Sequence, residues 1–340
     1  MSRAASRPST LLGAALSTCY GPSSAGPTSG ATAAVPCHDV LQCPRMSVVI
    51  IINPVAGGRR RSLPSDQRVR LVEQALDRHR LTGRVELTRA AGHAQELVRE
   101  AVDQGCSLVI GWGGDGTIND VASQLLGTPV ALGIVRAGSG NGFARELGIP
   151  SRPDEALDIA LGGRERVLDV GEIEGHPFLN VAGIGFDAAM AIEFNRLGTE
   201  RRGPVRYALQ VARAAFGYPA SRYTIDADGR RLVVDALLIA IANLAQYGSN
   251  AVIAPTARPD DGLLDIVVIE DRGACGRVGL VPRLFDRTAH KAPGVTVLQA
   301  RHVVVATSRP TAFHVDGEPH PGGCTVEARI RPAALRVKVA

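Results

Sequence analysis

The sequence predicts a doubly wound α/β domain followed by a β-rich domain. From residue 46 to about 165, apolar strand-like segments alternate with segments of helical periodicity, as in a parallel sheet covered on both faces. After Arg166, strand-like segments follow one another with few helices between them. We therefore expect a first domain over 46–165 and a second over 166–324.

Composition separates the first 45 residues from the rest of the chain. This stretch is rich in Ser, Ala, Gly, Pro and Thr and has no apolar periodicity, so we expect a disordered extension over 1–45. In the whole chain 45% of residues are hydrophobic and 21% are charged, which is ordinary for a globular protein. Aromatic residues make up only 4%, too few for base stacking, so nucleic acid is not an expected partner. The six cysteines form no C-x-x-C pair, as in a cytosolic protein.

The α/β part begins with a buried strand and a glycine loop. The segment 47–52 is continuous, apolar and β-branched, and it leads into Asn53-Pro54-Val55-Ala56-Gly57-Gly58. Helical spacing follows over 69–76, a short strand over 84–88, and an apolar helical face over 94–102. Open α/β sheets bind ligands at the carboxyl ends of their strands, so this loop is a candidate binding loop, with a simple turn as the alternative.

The central stretch of this domain is 107–116. Leu108-Val109-Ile110 predicts a buried strand, Gly113-Gly114-Asp115-Gly116 a tight turn, and Thr117 the start of a helix, with Thr117 and Asp120 spaced like a capping box. Glycine loops and helix N-termini bind phosphate through backbone N–H groups. Asp115 would repel a phosphate unless a divalent cation lay between them. The stretch therefore indicates a nucleotide phosphate with Mg²⁺, and an exposed Asp in a structural turn is the alternative.

A further apolar strand, 129–135, also ends in a glycine loop, Gly138-Ser139-Gly140-Asn141-Gly142. The carboxyl ends of parallel strands share one edge of a sheet. We therefore expect the loops at 53–58, 113–117 and 138–142 to converge there.

The β-rich part carries two acidic motifs. Strands are expected over 167–173, 178–181, 223–227, 232–242, 263–269, 295–299 and 302–306, and helices only at about 187–197 and 204–216. The motif Asp260-Asp261-Gly262-Leu263-Leu264-Asp265 offers clustered oxygens to a divalent cation, although alone it fits an Asp-Gly β-turn better. The motif His314-Val315-Asp316-Gly317-Glu318 places a carboxylate at a turn, where a partly desolvated Glu318 could act as a general base.

Together these motifs resemble the diacylglycerol kinase catalytic family, which includes bacterial lipid kinases and the sphingosine and ceramide kinases. The resemblance covers residue 46 to the end and rests on the order and spacing of six motifs. They are Asn53-Pro54 with Gly57-Gly58, Gly113-Gly114-Asp115-Gly116-Thr117 with Asn119, Gly138-Ser139-Gly140-Asn141, Gly183-Ile184-Gly185-Phe186-Asp187, the 260–265 motif and Asp316-Gly317-Glu318. The family fold is an α/β nucleotide-binding domain followed by a β-sandwich domain, with the active site in the cleft. In that family the C-terminal tail returns to the first domain, so we expect this of 325–340.

The resemblance implies an ATP-dependent lipid kinase and assigns roles to the matching positions. ATP would contact Asn53, Pro54, Val55, Ala56, Gly57, Thr88, Gly113, Gly114, Asp115, Gly116, Thr117, Ile118, Asn119 and Ser139. Asp115 would act on Mg²⁺ and Glu318 would accept the proton of the lipid hydroxyl, although a base role for Asp115 also stays open. A second Mg²⁺ would bind the Asp261 side chain with the carbonyl oxygens of Arg258 and Leu263. The resemblance also implies a cytoplasmic protein at the inner face of the membrane, and it leaves room for a homodimer.

Departures from the family pattern leave the lipid open between a diacylglycerol-like and a sphingoid substrate. Many bacterial members carry an acid where Gly142 stands. Bacterial phosphatidylglycerol-type members use lysines near the first glycine loop, where this chain has Gly58 followed by Arg59. The alternatives are an NAD kinase-like enzyme and a catalytically inactive nucleotide or lipid sensor. The third loop and the 260–265 turn favour a lipid kinase over the former, and intact Asp115 and Glu318 argue against the latter.

Overall fold

The computed structural model describes residues 47–57, 63–138, 140–196, 217–248 and 251–340. The extension predicted over 1–45, the helix predicted at about 204–216 and the predicted ATP-contacting residue Ser139 lie outside these residues. Among the described residues, no helix is long and apolar enough to cross a membrane.

The first part of the chain builds a parallel sheet with helices on both faces. Its strands and helices are β1 (Ser47–Ile52), α1 (Ser65–His79), β2 (Thr82–Leu87), α2 (His93–Asp103), β3 (Leu108–Gly113), α3 (Asp115–Leu125), β4 (Ala131–Arg136), α4 (Gly142–Glu146) and α5 (Pro153–Gly162). The strands are parallel in the order β2-β1-β3-β4. Helices α1 and α5 pack together on one face, and α2 and α3 on the other. This confirms the predicted doubly wound α/β domain.

The second part is mostly antiparallel sheet. Its elements are β5 (Arg164–Ile173), β6 (His176–Phe178), β7 (Val181–Gly185), α6 (Phe186–Arg196), β8 (Ser221–Ala227), β9 (Arg230–Ala242), β10 (Gln246–Gly248), β11 (Ala251–Val252), β12 (Leu264–Glu270), α7 (Gly273–Phe285), β13 (Val295–Ala300), β14 (His302–Thr307), β15 (Phe313–Val315), β16 (Glu318–His320) and β17 (Thr325–Val339). The strand order is β16-β15-β7-β9-β8-β14-β17, and β12 pairs with both β9 and β13.

Alternating side chains of the long strands bury two apolar clusters. Ile239 and Ile241 of β9 and Val268 of β12 lie in the cluster between the layers of strands. Leu238 of β9 and Val267 of β12 lie in the cluster on the opposite face. That second cluster is covered by Phe186 and Met190 of α6 and by Leu280 and Leu284 of α7. This two-sided burial confirms the predicted β-sandwich-like domain.

Strand β17 joins the two halves of the fold. Its beginning pairs antiparallel with β14, and its end pairs in parallel with β4 through Arg336 and Val337. Strand β5 runs antiparallel along the same strand. Leu335 and Val337 are buried in the core of the first sheet. Both halves therefore belong to one compact unit, Pro44–Ala340.

Helix α7 was not expected from the sequence, which predicted helices in this half only at about 187–197 and 204–216. The segment contains Gly273, Gly276, Gly279 and Pro282, residues with poor helix propensity. Its helical state depends on tertiary packing, since Leu280 and Leu284 contact the apolar cluster beneath them. Helix propensity alone therefore does not indicate this helix, which packing on the sheet stabilises.

Candidate active site

The loops after β1, β3 and β4 meet at the carboxyl edge of the parallel sheet. The amide of Asn53 donates to the carbonyl of Trp112, and the amide of Ala137 donates to the carbonyl of Gly113. Thr88 follows β2 at the same edge, where its amide donates to the carbonyl of Ile52. The described parts of the three expected loops, 53–57, 113–117, and 138 with 140–142, are thus neighbours at this edge.

The first loop is held in place by a buried arginine. Arg68 of α1 is only 1% exposed. Its guanidinium donates to the carbonyl oxygens of Asn53 (2.7 Å), Ala56 (2.8 Å) and Leu63 (2.9 Å), and it lies 5.7 Å from the ring centroid of Trp112. Burial lowers the pKa of Arg68 from its ordinary value. Sequence reasoning missed this residue, although its position four residues before Val72 places it on the buried stripe of α1.

The second loop leads into α3 without a capping box. Helix α3 begins at Asp115, and its N-cap Gly114 makes no side-chain cap hydrogen bond within the described structure. The hydroxyl of Thr117 accepts a hydrogen bond from Asn53 Nδ2 (2.9 Å), and Asp120 accepts one from Gln95 (2.7 Å). The predicted Thr117–Asp120 capping box is therefore wrong, because both side chains bond to neighbouring elements. The first N–H groups of an α-helix have no intrahelical acceptor, so the first turn of α3 can supply donors to an anion, as in anion-binding helix termini.

Close backbone contact explains why the second and third loops are glycine-rich. A Cβ on Gly113 would lie 2.4 Å from Cβ of Thr117, and a Cβ on Gly138 would lie 2.8 Å from Cα of Gly114. Both distances are shorter than real carbon contacts. The two loops therefore touch through their main chains, which brings their N–H groups close to any ligand at this edge.

Asp115 bridges the second and third loops. Its carboxylate accepts hydrogen bonds from the amides of Asn141 (2.7 Å) and Gly142 (2.8 Å), at the N-terminus of α4. Asn141 has a left-handed backbone, and its side chain accepts from the amide of Gly138 at 2.9 Å. Each oxygen of a carboxylate can accept more than one hydrogen bond, so Asp115 keeps capacity for a cation or its water shell.

The other wall of the site is a tight turn from the β-rich part. Val315 pairs with Glu318, which leaves Asp316 and Gly317, both with positive φ, as a two-residue hairpin loop. The Asp316 carboxylate accepts from the amides of Leu179 (2.8 Å), Asn180 (2.9 Å) and Val181 (3.0 Å). This buried anchor orients the hairpin and leaves Glu318 exposed at its end.

The two walls lie close enough to influence each other electrostatically. Burial raises the pKa of Asp316 despite its amide hydrogen bonds, and the charge of Asp115 raises it further. Burial also raises the pKa of Asp120, and the charge of Glu318 adds to that shift. Helix α4 contacts β10 directly, since Gln246 donates to Glu146 at 2.9 Å. Asp115 and Asp316, one from each half of the fold, are also linked through Gly142 and Asn180, because Asp115 accepts from the amide of Gly142, the Asn180 side chain approaches Gly142, and the amide of Asn180 donates to Asp316.

A buried hydrogen-bond chain supports the hairpin. His314 Nε2 lies 2.6 Å from Asp187 Oδ2, which also accepts the hydroxyl proton of Tyr247. Burial alone would lower the pKa of His314, but the Asp187 carboxylate outweighs it and the pKa is raised. The amide of Gly317 also contacts this ring, with its nitrogen 3.2 Å from His314 Nδ1. His314 and Asp187 thus fix the loop that carries Glu318.

Two further polar groups at the cleft were missed by sequence reasoning. Arg136 ends β4, and its Nε is buried without a hydrogen-bond partner in the described residues. Burial, with the nearby charge of Arg145, lowers the pKa of Arg136. The side-chain oxygen of Asn180 is likewise buried and unpaired within the described structure, and the Asn180 side chain lies about 3.7 Å from where a Cβ on Gly142 would stand. Arg136 directly follows the predicted strand 129–135, and Asn180 lies within the predicted strand 178–181. Only the folded structure therefore identifies them as candidate site residues.

The predicted ATP-contacting residues fall into exposed and buried groups. Val55, at the tip of the first loop, is 81% exposed, whereas Ile118 is buried against the position of Gly111 and offers the cleft only its main chain. The others within the described residues line the sheet edge or the start of α3, namely Asn53, Pro54, Ala56, Gly57, Thr88, Gly113, Gly114, Asp115, Gly116, Thr117 and Asn119.

The candidate structural metal site lies at the turn before β12. Asp261 is exposed, and its carboxylate accepts from the amide of Leu263 at 3.0 Å. Asp265 is instead buried beneath the turn, where Thr256 donates to it at 2.9 Å. Among the described residues, no three His, Cys, Asp or Glu side chains cluster as metal ligands. The predicted site uses one carboxylate and the carbonyls of Arg258 and Leu263, so it stays a prediction.

Comparison with known proteins gives two consecutive domain matches. The diacylglycerol kinase catalytic domain matches residues 47–173. The YegS C-terminal NAD kinase beta sandwich-like domain matches residues 180–339. The two matches together span nearly all of the α/β and β-rich parts.

Individual relatives and a solved structure agree with the domain matches. A diacylglycerol kinase from Mycobacterium tuberculosis is 31% identical over 270 residues, covering 76% of this chain and 86% of that protein. A Pseudomonas fluorescens protein named "Probable lipid kinase YegS-like" is 33% identical over 278 residues, covering 78% and 89%. The structure of a diacylglycerol kinase from Bacillus anthracis superposes with a TM-score of 0.69 at 19% identity, over 87% of this chain and 97% of that one.

Proposed function

This chain belongs to the diacylglycerol kinase catalytic family of lipid kinases, and we propose that it transfers the γ-phosphoryl group of ATP to a hydroxyl of a diacylglycerol-like or sphingoid lipid. The observation that carries the proposal is a contact between Asp115 and the Asp316–Glu318 hairpin through two residues. Asp115 accepts from the amide of Gly142 at 2.8 Å, the Asn180 side chain lies about 3.7 Å from where a Cβ on Gly142 would stand, and the amide of Asn180 donates to Asp316 at 2.9 Å. Phosphoryl transfer requires a phosphate cradle, charge neutralisation and an aligned hydroxyl, and the cleft has a candidate group for each.

The phosphates of ATP would lie at the carboxyl edge of the parallel sheet. Gly114 and Gly138 bring main-chain N–H groups together there, and the uncapped first turn of α3 adds its helix dipole. Arg136, with its buried unpaired Nε at the end of β4, would contact a phosphate oxygen. Asn53, fixed by Thr117 and Arg68, would shape the entrance to this cradle.

The acidic cleft fits a Mg²⁺ ion. Burial raises the pKa values of Asp120 and Asp316, and the negative charges of Glu318 and Asp115, respectively, add to these shifts. A divalent cation relieves such repulsion, and when bound with ATP it neutralises charge on the transferring phosphoryl group. Asp115, held by two amides but with acceptor capacity left, is the residue that would hold the ion or its water shell.

Glu318 is our candidate for the group that accepts the proton of the lipid hydroxyl. The hairpin fixes its backbone through Asp316 and His314, while its own side chain stays exposed to the cleft. An alcohol is a weak nucleophile, and a carboxylate that takes its proton as the new bond forms assists the attack. Asp115 is the weaker candidate for this role, because both of its oxygens already accept amide hydrogen bonds.

The assay that tests the function uses γ-labelled ATP with Mg²⁺ and a panel of possible acceptors. The panel contains diacylglycerol, monoacylglycerol, phosphatidylglycerol, sphingosine, ceramide and NAD. We expect label in one of the lipids. Label in NAD would establish an NAD kinase-like activity instead, and ATP binding without any transfer would favour an inactive sensor. A lipid acceptor also implies action at the inner face of the cytoplasmic membrane, which is part of this proposal.

A further inference from the structure

Helix α7 (Gly273–Phe285) exposes an apolar stripe. Val278, Val281 and Phe285 are 54%, 46% and 59% exposed. Their spacing of three and four residues aligns them along one side of the helix. Leu280 and Leu284 point elsewhere and pack on the apolar cluster of the sheet. The helix therefore has a second apolar side that no described residue covers.

A basic groove runs beside this stripe. Arg272 and Arg283 border a groove of about 400 Å³ whose floor includes Leu280 and Pro293. Arg272 is held there by close packing on Gly294, where an added Cβ would lie 2.5 Å from its Cδ. The helix itself contains no acidic residue. Of the acidic residues that flank the helix, Asp271 pairs with Arg277 at 2.8 Å and Asp286 accepts from Thr288 at 2.9 Å.

We propose that this face of α7 docks on a bilayer that carries anionic lipids. Val278, Val281 and Phe285 enter the boundary between headgroups and acyl chains, and Arg272 and Arg283 contact lipid phosphates. Apolar side chains beside exposed arginines are the combination that holds amphipathic helices at a membrane surface. This inference rests on the proposed function, because a lipid kinase must meet its acceptor at a membrane.

The position of α7 in the fold agrees with docking of this face on the membrane. Leu280 and Leu284 pack on the same apolar cluster as Phe186 and Tyr247. The hydrogen-bond chain behind the Glu318 hairpin includes Tyr247 and Asp187, and Asp187 directly follows Phe186. The docking face and the proposed lipid side of the cleft are thus parts of one packed layer.

A second copy of the chain is a poorer occupant of this face. A two-fold contact would place the same surface against itself. Arg272, Arg283 and Arg287 of one copy would then approach those of the other without acidic partners on the helix. Like charges brought together in this way oppose association, whereas anionic headgroups neutralise them.

Vesicle flotation of the full chain without ATP tests the docking face. The vesicles contain phosphatidylcholine alone or phosphatidylcholine mixed with phosphatidylserine. We expect Val278→Ser/Val281→Ser/Phe285→Ser to weaken binding to the mixed vesicles by about tenfold or more, because the apolar contribution is lost. Arg272→Gln/Arg283→Gln should lower the ratio of binding to mixed vesicles over binding to phosphatidylcholine vesicles by on the order of tenfold. The matched controls, Val167→Ser/Val233→Ser and Arg230→Gln/Arg231→Gln, alter exposed residues elsewhere and should bind like the wild type.

A fluorescence measurement covers the case in which the triple variant misfolds. The single native tryptophan, Trp112, is buried, so a new tryptophan reports its own surroundings. We expect the emission of Phe285→Trp to shift to shorter wavelength when mixed vesicles are added, and that of Val233→Trp to stay unchanged. No shift for Phe285→Trp, or equal binding of the stripe variants and their controls, would overturn the proposal. A change from dimer to monomer in the triple variant with unchanged vesicle binding would also overturn it, in favour of an interface between copies.

Phosphoryl transfer to a short-chain, dispersed diacylglycerol separates this inference from the proposed function. The stripe variants should phosphorylate the dispersed diacylglycerol at the wild-type rate, and they should lose activity only when the diacylglycerol is presented in a bilayer. Absence of transfer by the wild type in both formats would refute the lipid kinase function, while flotation would still decide whether α7 docks.

Discussion

The guanidinium of Arg68 donates to the main-chain carbonyl of Asn53 at 2.7 Å, which ties helix α1 to the first loop of the site. Two more hydrogen bonds from the same side chain reach Ala56 and Leu63. Asn53 in turn donates to Thr117 at the start of α3. A buried cation thereby sets the position of a loop that we assign to ATP.

Replacing Arg68 by lysine should therefore loosen the first loop. Lysine cannot reproduce the planar three-carbonyl contact, and hydrogen bonds of charged groups contribute about 1.5–3 kcal/mol each when buried. We expect Arg68→Lys to lower the free energy of unfolding by about 2–4 kcal/mol and to weaken ATP binding. Urea unfolding and an ATP titration measure both effects. The control Arg70→Lys changes an exposed residue of the same helix, and equal behaviour of the two variants would refute the role of Arg68.

Asp115→Asn should affect both the third loop and catalysis. An asparagine amide can accept from only one of the amides of Asn141 and Gly142, because its NH₂ group would face the other. We expect a stability loss of about 1–2 kcal/mol from the weakened α4 terminus. Loss of the charge should also raise the Mg²⁺ concentration needed for turnover and lower kcat by on the order of 10²-fold. Steady-state kinetics at varied Mg²⁺ concentrations measure both effects, and Asp103→Asn, at an exposed position of α2, is the control. The same dependence of turnover on Mg²⁺ in both variants would contradict the role of Asp115.

The candidate structural metal site is tested without any activity measurement. If Asp261 holds Mg²⁺ with the carbonyls of Arg258 and Leu263, Mg²⁺ should raise the melting temperature of the wild type and not that of Asp261→Ala. Asp260→Ala is the matched control, because Asp260 is the preceding residue and pairs with Arg166 at 2.6 Å. A thermal shift with Mg²⁺ that is the same in all three proteins would remove Asp261 from the metal site.

Asp265 should make the protein less stable as the pH rises. Burial raises the pKa of this carboxyl, and hydrogen bonds from Thr256 and Gln299 oppose the shift without cancelling it. Below its unfolded-state pKa, about 3.9, the group is protonated in both states and has no effect. As the pH rises toward the elevated folded-state pKa, the unfolded state loses its proton first, so the free energy of unfolding falls.

Asp265→Asn removes this titration, so its stability relative to the wild type should increase with pH across that window. Urea unfolding at a series of pH values measures the difference. Asp235→Asn, at an exposed position of β9, serves as the control and should follow the wild-type curve. A constant difference between Asp265→Asn and the wild type at all pH values would show that Asp265 does not titrate there.

Local patterns in the sequence were sufficient for the architecture and for the edge at which the loops meet. Continuous apolar runs such as 47–52 and glycine loops at strand ends identify the doubly wound sheet without knowledge of long-range contacts. The motif order placed Asp115 and Glu318 among the candidates, and the structure connects Asp115 to the hairpin of Glu318 through Gly142, Asn180 and Asp316.

The remaining features depend on contacts between residues far apart in the sequence. Asp115 finds its partners at Asn141 and Gly142, and Asp316 finds its amides at Leu179–Val181, which no periodicity could indicate. The Thr117–Asp120 capping box was wrong because Asn53 and Gln95 compete for those side chains. Helix α7 was missed because the sheet stabilises a segment of poor intrinsic propensity.

Single-turnover transfer of labelled phosphate by Glu318→Gln tests the central claim most directly, namely that a carboxylate from the β-rich part acts on an acceptor held against the α/β part. Glutamine keeps the size of the side chain and cannot accept the proton, so we expect transfer to slow by on the order of 10²-fold or more while ATP still binds. The control Glu327→Gln, at an exposed carboxyl of β17, should transfer at the wild-type rate. Wild-type transfer by Glu318→Gln would contradict the account and leave the hairpin without a chemical role.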